Sequence, residues 1–228
     1  ENTIYVQFLL PAFAMIGGLS TTILVYKMSK ISGKTNITAM LLAGIAINAF
    51  SGSIIGLLVY RASDMQLRSF TFWTLGSLDN ASWLTILIAM LFISVPIYIS
   101  IRLRDKLDVF MLGDADASYL GVDIEKIKKQ IIVISALMVG VTVAFCGMIG
   151  FIGLVTPHLV RLIMGPSHRT LIYGSAILGA IILTLADFIS RIVISPAQLP
   201  IGIITSALGA PFFLWLIISQ KRKMRYEA

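Results

Sequence analysis

Charged side chains are scarce in this sequence, and that scarcity argues against most classes of soluble protein. Asp, Glu, Lys and Arg make up 13% of the 228 residues, 57% of the residues are hydrophobic, and the mean hydropathy is +0.92. An ordinary soluble domain is about 25% charged and roughly 45–50% apolar. A soluble globule of this length could not bury so much apolar surface. The composition therefore disfavours a water-soluble enzyme or a nucleic-acid-binding protein and predicts an integral membrane protein.

Cysteine, histidine and the common catalytic motifs are also rare or absent. The single cysteine, Cys146, lies in an apolar run, so neither a disulfide framework nor a thiolate metal site is available. His158 and His168 are the only histidines, and two histidines without carboxylate or thiol partners make a poor metal site. The motifs HExxH, GxSxG and GxxxxGK[ST] do not occur. We therefore expect no resident metal or cofactor and no catalytic residues.

Long apolar runs are what the sequence has instead. About 20 apolar residues, at 1.5 Å each, cross a hydrocarbon core of roughly 30 Å. We predict an all-α, polytopic bundle with about six full spans and one short helix, in a single transmembrane domain over residues 1–228. The predicted full spans are Ile4–Tyr26, Thr38–Tyr60, Trp83–Ile101, Ile131–Met148, Ile172–Ile194 and Ile201–Ser219.

The seventh apolar segment, Phe151–Met164, is too short to span the bilayer alone. It follows Gly147 and Gly150, contains Pro157, and ends at Gly165. These breakers predict a short or broken helix buried among the others, because unpaired backbone is not tolerated against lipid. The alternative is an extension of the preceding span, kinked at Pro157.

The positive charges predict the orientation. Placing the C-terminus in the cytoplasm and alternating seven segments puts fifteen Lys and Arg residues inside. Only Arg61, Arg68 and Arg191 are then outside. We therefore interpret the net charge of +7 as positive charge that orients the chain in the membrane. The same alternation puts the N-terminus outside although no signal peptide precedes it. We therefore expect a fragment that lacks an odd number of upstream helices.

Small residues recur every four positions in three of the predicted spans. They are Gly52 and Gly56, then Ser175 and Gly179, then Gly202, Ser206 and Ala210. Such spacing lets helices approach closely. For the last set the alternative is that it lines a path through the membrane, together with Thr205, Gly209 and Pro211. The spacing alone does not decide between packing and a path.

The inside segment Arg102–Gln130 has six basic and six acidic residues, which is unusual for a simple tether. Its middle predicts a short helix, with Asp114 or Asp116 near the positive end of the helix dipole and Gly121 as the stop. Exposed Tyr119 and Leu120 would suit docking to another protein. The alternative is a solvated, charge-balanced loop.

At this point the sequence resembles the permease subunits of FecCD-type, binding-protein-dependent ABC importers, which carry iron–siderophores, haem and cobalamin. The matching motifs occur in the family's order. They are LLAGIAINA (41–49), FWTLGSLDNASW (72–83), LGDADASYLGVD (112–123), GFIGLVTPHLVRL (150–162), GPSHR (165–169), LADFISR (185–191) and LPIGIITSALGAPFFLWL (199–216).

The resemblance implies an ABC type II importer permease of ten helices, of which this chain has the last seven. It implies a homodimer in the cell (inner) membrane, a periplasmic or lipid-anchored binding protein, and two cytoplasmic ATPases that hold the ATP and Mg. The permease itself is then not an enzyme. The expected cargo is an iron chelate, a siderophore or haem, and the alternative within the family is cobalamin.

The resemblance also assigns roles to particular residues. Segment 102–130 matches the cytoplasmic coupling loop that seats in the ATPase, and the helix Thr38–Tyr60 matches the one that lines and gates the path. The turn between Tyr60 and Trp83 matches the outer vestibule, and Arg191 matches a position that meets an acidic residue of the binding protein. The coupling candidates are Asp114, Asp116, Ser118, Tyr119, Leu120 and Gly121, and the path candidates are Asn48, Ser51, Gly52, Thr205 and Ser206.

A different class, the ion-coupled secondary transporters, usually has partnered ionisable groups at the membrane midplane. Asp187 is the only clear candidate for such a group. It lies four residues before Arg191, so the simple explanation is an ion pair within one helix.

Overall fold

The computed structural model describes the backbone of residues 2–79, 81–194 and 197–226, and within these the side chains of all but 2–8, 217 and 220–226. Nine α-helices and one small hairpin form within these ranges. The helices are α1 (Asn2–Met28), α2 (Ile37–Tyr60), α3 (Asp64–Thr74), α4 (Trp83–Phe110), α5 (Asp114–Tyr119), α6 (Ile124–Cys146), α7 (Ile152–Met164), α8 (His168–Ile192) and α9 (Ile201–Tyr226). Strands β1 (Lys30–Ile31) and β2 (Lys34–Thr35) pair antiparallel between α1 and α2.

All seven helices predicted from the apolar runs are present. Among the described residues five helices, α1, α2, α4, α6 and α8, are long and apolar enough to cross a membrane. Helix α7 and the apolar part of α9, Ile201–Leu216, are shorter. The all-α polytopic fold is confirmed, with five membrane-length helices where six full spans were predicted.

The break between α6 and α7 is real, so the alternative of one kinked helix is wrong. Helix α6 ends at Cys146, and Gly147 follows with a φ of 70°. A Cβ at Gly147 would overlap the carbonyl oxygen of Trp73 and lie 3.0 Å from the Cα of Gly76. Phe151 also has a positive φ, 66°, immediately before α7 begins. The backbone therefore turns sharply twice between two separate helices.

Helix α3 corrects the expectation of a simple turn between Tyr60 and Trp83. Asp64 to Gln66, expected in that turn, form the first turn of α3. The Ser63 backbone N–H donates to Gln66 Oε1 at 3.0 Å, and the Gln66 N–H approaches Ser63 Oγ at 3.5 Å. This reciprocal arrangement is a capping box, which explains why a helix starts here.

The chain forms two compact units. The first takes in the described residues of Glu1–Thr71 and Ala81–Phe145. In it α1 packs on α2 and α5 on α4, and a Cβ at Gly140 of α6 would meet Met15 of α1 at 3.8 Å. The buried apolar side chains of α6 are Ile127, Ile134, Val141 and Ala144. Helix α2 has only one buried residue, Ala43.

The second unit takes in the described residues of Phe72–Asn80 and Cys146–Ala228, and α7 packs on both α8 and α9 within it. Small residues make this packing close. A Cβ at Gly174 would lie 2.7 Å from Val160 Cγ1, and one at Gly209 would overlap the Phe151 side chain. Gly174 and Gly209 therefore serve packing within this unit. Helix α7 is buried on one face only, at Val155, Thr156 and Val160, whereas the prediction placed the whole helix among the others.

Candidate functional site

The predicted short helix of the coupling segment is present as α5, and glycines place it between α4 and α6. Gly113 precedes it with a φ of 105°, a conformation that favours glycine. Ala117 is fully buried and anchors the middle of the helix. The connection that lies outside α4 and α6 is residues 111–123, shorter than the predicted 102–130, because both flanking helices extend past the apolar runs.

Gly121 ends α5 as predicted, by a Schellman motif. Its φ is 78°, and its N–H donates to the carbonyl of Ser118 at 3.0 Å. The N–H of Val122 donates to the carbonyl of Ala117 at 3.1 Å. Together these two bonds satisfy carbonyls that a helix end otherwise leaves unpaired. The six-residue helix is thus fixed at its C-terminal end by the backbone.

A charge pair connects α5 to α6. Lys128 Nζ lies 2.7 Å from Asp114 Oδ2 in the first turn of α5. The same ammonium lies over the Phe110 ring, 5.8 Å from its centroid, at the end of α4. Lys128 is mostly buried and Asp114 is exposed, so the lysine stem packs while its charge reaches the aspartate. Lys128 thereby contacts α4 and α5 from its place on α6.

Exposed apolar side chains surround α5. Tyr119 is 90% exposed and Leu120 is 61% exposed, as the sequence predicted. Met111 and Leu112, before the helix, are exposed as well. Asp116 and Ser118 are also exposed. The candidate coupling residues therefore form one patch of apolar and acidic side chains that can contact another protein.

Arg191 lies in the last turn of α8 and pairs with Asp187 as the spacing predicted. Its Nε donates to Asp187 Oδ2 at 2.9 Å and its Nη2 to Asp187 Oδ1 at 3.2 Å. This is a bidentate pair within one helix. Asp187, the one candidate for an ion-coupling group, therefore has its charge paired with a fixed cation.

A second carboxylate, Asp79, also contacts Arg191, and sequence reasoning missed it. Arg191 Nη2 lies 3.0 Å from Asp79 Oδ1. The Gln198 amide, oriented with its nitrogen toward the carboxylate, donates to Asp79 as well. Asp79 belongs to the FWTLGSLDNASW motif, so the motif was noticed without its contact. The guanidinium is shared by two carboxylates, and the Arg191 side chain is still 43% exposed.

The segment that carries Asp79 is held by backbone hydrogen bonds in the second unit. Ser77 N–H donates to the Cys146 carbonyl at 2.9 Å. The first N–H groups of α9 donate back to this segment, from Ile201 to Gly76 at 3.1 Å and from Gly202 to Leu75 at 3.0 Å. The end of α6, the start of α9 and the end of α8 therefore all contact residues 75–79.

The candidate path residues fall in different units. Asn48, Ser51 and Gly52 lie on α2, where Asn48 and Gly52 are exposed and Ser51 is half-buried. Thr205 of α9 is fully buried, and its hydroxyl donates to the Gly202 carbonyl at 3.2 Å, so it does not line an open surface of its unit. Ser206 is half-buried near Gly150. A path lined by these residues stays a prediction.

The histidines do not assemble a metal site with other described residues. His158 packs edge-on against Phe212 of α9, with 6.3 Å between ring centroids. Across the described parts of the chain, no three His, Cys, Asp or Glu side chains come together in a way that could hold a metal ion. His158 therefore has a packing contact on the buried side of α7.

The apolar helices of membrane length, with the short helix α5 between two of them, define a polytopic α-helical membrane protein. The FecCD transport family matches residues 3–219, and the chain belongs to that family.

Relatives of known description agree with this assignment. The chain is 42% identical over 210 residues to the hemin transport system permease protein HmuU of Yersinia pestis, covering 92% of this chain and 63% of that protein. It is 38% identical over 210 residues to the vitamin B12 import system permease protein BtuC of Vibrio cholerae, covering 91% of this chain and 62% of that protein. The chain thus spans 62–63% of the length of these relatives.

A solved structure gives the same fold. It is described as an inward-facing conformation of a metal-chelate type ABC transporter. Its TM-score against this chain is 0.83 at 29% identity, over 90% of this chain and 65% of the other. The fold of this chain is therefore similar to that of an ABC transporter chain.

Proposed function

We propose that this chain is the membrane-spanning part of a permease subunit that works with a binding protein and two ATPases to import an iron chelate, a siderophore or haem. The single observation that carries the proposal is α5, a capped six-residue helix with exposed Tyr119 and Leu120 between two long helices. Membership in the FecCD transport family supports it.

Helix α5 has the physical properties of a docking element. Its backbone is fixed by the Schellman motif and its first turn by Lys128, so little conformational entropy is lost on binding. Tyr119 offers a large amphipathic surface with few rotatable bonds, which is typical of residues at protein interfaces. We infer that this patch seats in a cytoplasmic ATPase.

The charge distribution supports a cytoplasmic α5 and C-terminus in the cell (inner) membrane. Orientation with α5 inside leaves only Arg61, Arg68 and Arg191 outside, against fifteen basic residues inside. Arg191, held by Asp187 and Asp79, then lies at the outer end of α8. Its exposed, planar guanidinium can still donate hydrogen bonds to a carboxylate of a binding protein.

A second copy of the chain is expected beside α2. Along this helix only Ala43 is buried, and a Cβ added at Gly52 or Gly56 would meet nothing within 4 Å. Small residues four apart allow close helix contact in a membrane. We infer that the homodimer axis, and with it the path past Asn48 and Ser51, lies along this face.

The mechanism follows from these contacts. ATP binding draws the two ATPases together, each ATPase moves one α5, and the long helices tilt as semi-rigid bodies. The bundle has inward and outward arrangements, whose populations ATP shifts through its different affinity for the two. The permease supplies no catalytic residue and holds no cofactor, since ATP and Mg belong to the ATPases.

Cobalamin is the second candidate cargo, because the BtuC relative is described as a vitamin B12 permease and is nearly as similar as the hemin permease. Ion-coupled transport has less support, since Asp187 is paired with Arg191.

The test is reconstitution of the complete permease with the ATPase and binding protein of the same genetic locus in liposomes. We expect ATP-dependent uptake of haemin in preference to cobalamin. Leu120→Asp should abolish ATPase association, because it places a charge in an apolar contact, while Met65→Asp, the same change at an exposed methionine of α3, should not. Uptake without ATP, or full association of Leu120→Asp, would contradict the proposal.

A further inference from the structure

A pair of side chains next to the coupling segment connects two elements far apart in the sequence. Glu125, in the first turn of α6, accepts three hydrogen bonds from Thr35 of strand β2. The Thr35 N–H lies 3.1 Å from both Oε1 and Oε2, and Thr35 Oγ1 donates to Oε2 at 2.7 Å. All of these residues belong to the first unit.

The Thr35–Glu125 contact is protected from water on the threonine side. Thr35 is only 6% exposed, and Glu125 is half-buried. Hydrogen bonds to a charged acceptor are about twice as strong as neutral ones, and shielding from water strengthens them further. The Thr35–Glu125 hydrogen bonds therefore connect β2 firmly to the first turn of α6.

On one side the attachment leads to α5. Glu125 and Lys128 are three residues apart on α6, so they lie on the same helical face. Lys128 holds Asp114 of α5 at 2.7 Å. The same turn of α6 therefore contacts α5 through Lys128 and β2 through Glu125.

On the other side the attachment leads to α2. Asn36, the residue after Thr35, is the N-cap of α2, and its Oδ1 accepts from the Ala39 N–H at 2.9 Å. The Asn36 N–H donates to the carbonyl of Ser29, a fully buried residue at the end of α1, at 2.9 Å. The start of α2 is thus fixed to the hairpin, and the hairpin is fixed to Glu125.

We propose that Glu125 and Thr35 are positioning residues that transmit movement of α5 to the start of α2. The inference rests on the proposed function, because it takes α5 as the ATPase contact and α2 as the helix beside the path. Two polar contacts, Asp114–Lys128 and Glu125–Thr35, are joined by one turn of α6, and Thr35 is followed in the chain by Asn36, the N-cap of α2. Neither Glu125 nor Thr35 needs to touch the ATPase or the cargo.

The variants are chosen to weaken the Thr35–Glu125 contact, Thr35→Val by removing its shortest hydrogen bond. Thr35→Val keeps the shape and the backbone N–H but removes the hydroxyl, and Glu125→Gln removes the charge. Thr35→Ser, which keeps the hydroxyl, is the conservative control. Asp123→Ala is the structural control, since Asp123 Oδ1 accepts from the Lys126 N–H at the start of α6 without reaching the hairpin.

The measurement is hydrogen exchange of residues 37–42 in the complete permease bound to its ATPase in nanodiscs, with and without ATP. We expect an ATP-dependent change in the exchange of the first turn of α2 in the wild type, in Thr35→Ser and in Asp123→Ala. In Thr35→Val and Glu125→Gln the change should fall at least threefold while the ATPase stays bound.

The inference is overturned if Thr35→Val and Glu125→Gln keep the full ATP-dependent change, if Asp123→Ala loses as much, or if the wild type with bound ATPase shows no change. Failure of the ATPase to bind the wild-type permease would instead refute the proposed function. Thr35→Val and Glu125→Gln change different groups, so the test can still be made with one variant if the other does not fold.

Discussion

The close approach of α9 to the Asp79 segment predicts a large effect for a very small substitution, Gly202→Ala. A Cβ at Gly202 would overlap the carbonyl oxygen of Leu75, and would lie 3.2 Å from the Leu75 carbonyl carbon and 3.4 Å from the Met148 carbonyl oxygen. All three neighbours are backbone atoms. No side chain can rotate away, so α9 itself has to move.

Two effects of Gly202→Ala lower the free energy of unfolding. Overpacking by one methyl in a close-packed site costs about 1–3 kcal/mol. Moving α9 also lengthens the Gly202 N–H to Leu75 hydrogen bond, now 3.0 Å, which contributes about 1 kcal/mol. We therefore expect Gly202→Ala to lower the free energy of unfolding by about 2–4 kcal/mol.

The assay is equilibrium unfolding of the complete permease in mixed micelles, followed by tryptophan fluorescence. Gly153→Ala in α7 is the matched control, since nothing lies within 4 Å of its Cβ position. Alanine there should be neutral or stabilise by about 0.4–1 kcal/mol, by restricting the unfolded chain. Stability of Gly202→Ala within about 0.5 kcal/mol of the wild type, the usual range for surface substitutions, would refute the close packing of α9 on Leu75. An equal loss in both variants would refute it too.

Three other predictions concern orientation, docking and the end of α5. Met65→Cys should react with an impermeant thiol reagent added outside intact cells, and Ser118→Cys only after permeabilisation; the reverse pattern would overturn the orientation. Arg191→Glu should weaken binding-protein affinity several-fold, since an exposed pair contributes about 1 kcal/mol, and a Glu→Arg change in the binding protein should restore part of it. Loss of stability with unchanged affinity would show that Arg191 serves only Asp187 and Asp79. Gly121→Ala should reduce ATP-driven uptake and ATPase association together, because its φ of 78° costs alanine about 1–2 kcal/mol, whereas unchanged association would show that α5 does not need the Schellman turn.

Features with a local pattern were predictable from the sequence. Apolar length located the long helices, and aspartates followed by Gly121 located α5. A spacing of four residues predicted the Asp187–Arg191 pair. Each of these depends on neighbours within one or two helical turns, so the chain needs no other part of the fold to specify it.

The missed features depend on distant contacts or on a weak signal. The Asp79–Arg191 and Thr35–Glu125 contacts join segments that no local pattern relates. The end of α4 was predicted too early and the start of α6 too late. Charged residues end the part of a helix that can face lipid, but the helix itself continues where those residues are good helix formers. Helix α3 is not a membrane span, but the Ser63–Gln66 capping box could have revealed its start.

Site-specific photo-crosslinking at Tyr119 tests the role of α5 most directly. A benzoylphenylalanine at this 90% exposed position should crosslink the ATPase in the complete transporter in its native membrane. The same probe at Met65, also highly exposed but outside by the charge rule, should not. A crosslink to the ATPase at 119 and none at 65 is the predicted result. No crosslink at 119, or equal capture at 65, would contradict the assignment of α5 as the ATPase contact.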